Sequence, residues 1–141
     1  MRRALAIVAA LGGALALLAG DPYPSKVDVQ RLAKAVAHED DHVTATELAQ
    51  WIHDKKPGLR LVDVRTPAEF AKSHMDGAEN IPMESIATAA FPPSDTIVLL
   101  SEGGAHAAQA WVLLQVRGYR NVFFLRDGIG GRRYEPGRDG C

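Results

Sequence analysis

The chain has 141 residues, 47% of them apolar, which is enough for one domain with a packed core and too few for two. Its formal charge is −1 and no basic block occurs, so nothing in the sequence favours nucleic acid. The single cysteine, Cys141, excludes an internal disulfide and a thiolate metal cluster, and it leaves the redox compartment open.

Arg2-Arg3 precede an uncharged run over 4–20, rich in Ala and Leu, which Asp21-Pro22-Tyr23-Pro24 breaks. This charged-then-apolar layout predicts a bacterial secretory signal over 1–20. The run is near the shortest length that spans a bilayer, so it has two fates. Cleavage near Asp21 gives an exported, periplasmic protein; retention gives an inner-membrane anchor. Leu18-Ala19-Gly20 is similar to the end of a lipoprotein signal, but Asp21 stands where that signal needs a cysteine, so no lipid is expected. The twin arginines lack the surroundings of a twin-arginine signal, and ordinary export is expected. Removing 1–20 takes two arginines and no acids, leaving 14 basic against 17 acidic residues, a net of −3.

Residues 21–41 read as a connector with one short helix. Ser25 is its expected cap, with Asp28 three residues on, and Val29, Leu32, Ala33 and Val36 form the face that packs on the domain. The domain is expected over 42–141. Thr44-Ala45-Thr46-Glu47 is a capping box, and Val43 can staple against Leu48. Leu48, Trp51 and Ile52 give that helix a buried stripe, and Pro57-Gly58 ends it. Residues 59–64 read as a buried strand. A second capping box follows, Thr66-Pro67-Ala68-Glu69, with proline at the favoured first helical position. A short strand over 78–81 leads to Pro82, and a weak helix covers 84–90 before Pro92-Pro93.

The central stretch begins with Thr96-Ile97-Val98-Leu99-Leu100, too short for a helix and rich in strand formers. Ser101-Glu102-Gly103-Gly104-Ala105-His106 comes next, and then Ala107, Ala110, Trp111 and Leu114 recur at helical spacing. A strand, a glycine turn and a helix start aim backbone N–H groups at one point, a ready anion site. The same residues serve equally as a plain strand-to-helix bend. Gly118 ends the helix, and 121–125 supplies another strand. Strands alternating with helices predict an α/β fold, a small mostly parallel β-sheet flanked by helices on both faces. Ligands of such sheets bind beyond the carboxyl ends of the strands, where Ser101 falls. Trp51 and Trp111 are expected in the core. Asp63 and Arg65 are expected to brace neighbouring loops, and His74 to fix the turn at Gly77. The histidines have no metal-site spacing, so no metal or cofactor is expected.

In these residues the chain resembles a rhodanese-like domain, of the sulfurtransferase family. Leu61-Val62-Asp63-Val64-Arg65, Glu69-Phe70 and His74-Met75-Asp76-Gly77-Ala78-Glu79-Asn80-Ile81-Pro82 are similar to its N-terminal signature, with Ser73 where a glycine is usual. Gly104, Ala110, Leu114, Gly118-Tyr119, Asn121-Val122 and Leu125 fall at the family's spacing after its active-site loop. The resemblance runs over about 42–131. It implies a small parallel sheet whose fourth strand joins a helix through a loop of inward-pointing amides around a persulfide-carrying cysteine.

Position by position, the family's cysteine falls on Ser101, the arginine five residues on falls on His106, and the serine after it on Ala107. A Gly-Gly pair becomes Asp127-Gly128, a tryptophan position holds Arg132, and 134–141 replaces the closing helix. Sulfur transfer needs a thiolate that holds sulfur as a persulfide, which a serine oxygen does not. Cys141, in a glycine-rich tail, reads as an incidental thiol. A Ser101–His106 hydrolase pair needs a third group to orient the base, and no motif supplies one. Phosphatases with a similar loop need both cysteine and arginine.

Weak anion binding by the loop 101–106 remains. Glu102 opposes it, and a histidine at 106 adds charge only near or below about pH 6.5. The sequence therefore predicts an exported rhodanese-like protein without sulfurtransferase activity, acting as a binding or regulatory module for a small anion, a sulfur compound or a protein. An active sulfurtransferase using another thiol is the alternative, and a serine hydrolase the second alternative.

Overall fold

A computed structural model describes residues 27–130. The expectations for the segment 1–20, Ser25, Arg132, the tail 134–141 and Cys141 lie outside the described residues.

Ten elements follow in order: α1 (Val29–Ala37), β1 (His42–Val43), α2 (Ala45–His53), β2 (Leu59–Asp63), α3 (Pro67–Lys72), β3 (Ala78–Asn80), α4 (Met83–Ile86), β4 (Thr96–Leu100), α5 (Ala105–Val116) and β5 (Val122–Leu125). The five strands form one sheet in the order β1-β5-β4-β2-β3, and every pairing is parallel. The apolar runs of β2, β4 and β5 follow from burial on both faces. Alternate side chains divide between two cores, as the two-residue period of a strand requires. Val62, Val64, Ile97, Leu99 and Val122 pack with α4 and α5, whereas Leu61, Val98, Leu100 and Leu125 pack with Leu48 of α2.

Local chemistry sets most helix starts. Thr44 and Thr66 both cap through their hydroxyls, and Glu47 and Glu69 return the bond to the cap N–H, so both capping boxes form. Val43 and Leu48 share one core, as the staple requires. Four expectations need correction. Asp28 caps α1 by accepting the N–H of Arg31, because the helix begins at Val29, three residues after the start that a cap at Ser25 implies. Its packed face is Leu32 and Ala35, so Val29, Ala33 and Val36 point outward. In α2, Trp51 takes the sheet contact by standing edge-on to Phe123 at 5.6 Å, and Ile52 is left 45% exposed. The helix expected over 84–90 is the single turn α4, continued by turn bonds of Thr88 and Ala89 to the Ser85 carbonyl.

Candidate functional site

β4 delivers Ser101 to the carboxyl edge of the sheet, between β2 and β5. Its side chain points inward: Ser101 is 1% exposed, and its Oγ accepts the Ala107 N–H at 3.2 Å. Glu102, next in the chain, points out. Gly104 then takes φ +82 as the residue before α5, a conformation that costs glycine little. The Gly104 carbonyl accepts the Ala108 N–H. Among the described residues, nothing accepts from the N–H groups of Ala105 and His106, the first two of α5. The loop therefore presents free donors where the helix dipole is positive.

A second segment fixes this loop from behind. The carbonyls of Ser101 and Glu102 accept the N–H groups of Ile129 and Gly130 at 2.9 and 3.0 Å. Gly128, at φ +66, lies so close that a Cβ there would sit 2.3 Å from the Glu102 carbonyl oxygen and 2.4 Å from that of Ser101. Asp127 keeps a positive φ of 63 without being glycine, which aspartate tolerates.

In front of the loop is a cavity of about 490 Å³ with Val64 and Met83 among its apolar lining. Ser101, Glu102, Gly103, Ala105 and His106 all line it, so the structure brings together nearly all of the predicted loop; Gly104 is buried behind. His106 is exposed, and no hydrogen bond joins it to the Ser101 hydroxyl. A serine–histidine couple is therefore not assembled.

The sequence reading missed the other walls: Glu69 from α3, Glu84 from α4, and Arg65. Glu69 was legible as a capping residue and as part of the resemblance, not as a cavity wall, and its bonds from Thr66 hold its carboxyl below the ordinary 4.5. Arg65 is buried and doubly bonded to Asp63, with Nη2 2.7 Å from Oδ2, and it also donates to the Ser73 carbonyl. The bonds it donates to Asp63 raise its pKa above the ordinary arginine value. Its Nη1 meets the Glu102 carboxylate at 3.3 Å. Asp63 and Arg65 thus brace neighbouring loops, as expected, and Asn80 adds bonds to both their carbonyls. His74 instead holds the end of α3, with Nδ1 2.8 Å from the Phe70 carbonyl and its ring stacked on Phe70. The side-chain charge around the cavity is negative: three carboxylates face one guanidinium already paired.

Comparison with known proteins gives a consistent picture. The family model described as Rhodanese-like domain matches residues 44–131. A sulfurtransferase of Allochromatium vinosum is 34% identical over 91 residues, covering 63% of this chain and 84% of that protein. The "Probable adenylyltransferase/sulfurtransferase MoeZ" of Mycobacterium tuberculosis is 33% identical over 99 residues, 67% of this chain, but this chain spans only 25% of that protein. A crystal structure of a rhodanese-like domain protein from Staphylococcus aureus superposes with a TM-score of 0.57 at 27% identity, covering 62% of this chain and 86% of that one.

Proposed function

Because this chain belongs to the rhodanese-like domain family, we propose that it is an exported member whose loop 101–106 binds a ligand without transferring sulfur. One observation carries the reading. The buried position at the end of β4, inside the amide loop, holds a hydroxyl, and no cysteine occurs anywhere in 27–130. A thiolate there would attack the outer sulfur of thiosulfate, the S–S bond would break with its electron pair leaving on sulfite, and the persulfide would pass its sulfur to cyanide as thiocyanate. An alkoxide is unavailable without a base, and an oxygen–sulfur adduct is no counterpart of a persulfide.

The ligand favoured by the free N–H groups of Ala105 and His106 is a small anion. Glu69, Glu84 and Glu102 oppose it, so binding is weak near neutrality and strengthens in acid, where added protons cancel carboxylate charge.

The test compares parent and Ser101→Cys, both carrying Cys141→Ser, by persulfide mass after thiosulfate and by thiocyanate production. The expected result is none for the parent and measurable turnover for Ser101→Cys. Turnover by the unsubstituted chain that Cys141→Ser abolishes would establish the alternative, an active sulfurtransferase using another thiol, Cys141. Labelling of Ser101 by a serine-reactive phosphonate would establish the hydrolase.

A further inference from the structure

The helix that carries the loop has an apolar side the fold does not use. Val112, Leu113 and Val116 of α5 are 44%, 41% and 43% exposed, opposite the residues that fill the core. Val27 and Val29, at the start of α1, are exposed as well. Val27 and Val116 line one small cavity of about 60 Å³, so the two apolar sets adjoin. Arg31 and Arg120 line the same cavity, against the single acid Asp28. A helix apolar on all sides is ordinarily covered on all sides. Among the described residues, nothing packs over the outer side of this one.

The sequence indicates what lies opposite. The uncharged run 4–20 ends six residues before Val27. The seven Cα-to-Cα steps from Gly20 to Val27 reach about 25 Å at most when fully extended. A run that stays in the bilayer therefore holds the Val27 end of the domain, and with it the exposed valines, within that distance of the headgroups. The exposed Arg120 beside an apolar patch suits an anionic lipid surface, whereas Arg31 is bonded to Gln115 at 2.7 Å.

We propose that the N-terminal run is retained as an anchor and that the face formed by Val27, Val29, Val112, Leu113 and Val116 rests on the membrane. This selects retention over cleavage, and it stands apart from the sulfur chemistry, since neither Ser101 nor the cavity is involved. It leaves the loop edge of the sheet free to meet a ligand from the aqueous side.

The experiment uses the full chain with Cys141→Ser, reconstituted in vesicles of phosphatidylethanolamine and phosphatidylglycerol. A polarity-sensitive fluorophore is placed at Val116→Cys or, as control, at Ala49→Cys on α2, across the sheet. Nitroxide-labelled headgroups should remove most of the fluorescence at 116 and little at 49. Adding Val112→Glu and Leu113→Glu should abolish the loss at 116 while the protein stays with the vesicles. Equal quenching at 116 and 49 overturns the proposal. So does native protein cut near Asp21 and recovered wholly in the soluble fraction, read by intact mass.

Discussion

Ser101 shows how one atom decides a site while the backbone around it is kept. Its Oγ accepts the Ala107 N–H, the position from which a sulfur would be stabilised as thiolate by the same donor and the positive end of α5. In the Ser101→Cys chain, Glu102→Gln should raise the rate of persulfide formation, because it removes a carboxylate from the mouth and releases Nη1 of Arg65, now 3.3 Å away. Adding His106→Arg should raise it again by supplying a permanent guanidinium. Stopped-flow rates with thiosulfate check the order. A different readout applies beneath the loop. Asp63→Asn leaves the buried Arg65 without its carboxylate, and breaking such a pair costs about 3–5 kcal/mol. Urea unfolding should show the loss, with the Asp63→Asn, Arg65→Met double variant recovering part of it.

Elements differ in how plainly the sequence announced them. Both capping boxes, the strand runs and the α5 stripe follow from short-range spacing, and they stand where spacing put them. The faces of α1 and α2 were less legible, because neighbours distant in sequence decide which apolar residue is covered. The segment 127–130 was the least legible: nothing local says that Gly128 abuts two carbonyls of another loop. Gly128→Ala should therefore lower stability by roughly 1–3 kcal/mol or displace 101–102, readable as a loss of Tm and of any activity installed by Ser101→Cys. The caps also have a pH signature. Bonds from Thr44 and Thr66 hold Glu47 and Glu69 below 4.5 in the folded chain, so their stabilisation is full above that pH and is lost as pH falls through the lower folded values. Tm should decline in that acid range, and less steeply in the Thr44→Ala, Thr66→Ala variant.

For the molecule as a whole, the class of fold was legible because doubly buried strands alternating with capped helices leave few topologies. The cavity was legible only in its loop. Its acidic walls come from α3 and α4, whose residues looked like a cap and a weak helix until the sheet brought them opposite Ser101. The sheet also imposes an order of events. Among the described residues β1 pairs only with β5, His42 opposite Phe124, so the first described strand waits for the last before it has a partner. During synthesis the ribosome must release nearly the entire domain before this edge closes, and loop closure of that span is slow. If the chain is exported as proposed, such a delay serves it: it meets the channel as a thread and becomes a solid body only on the far side.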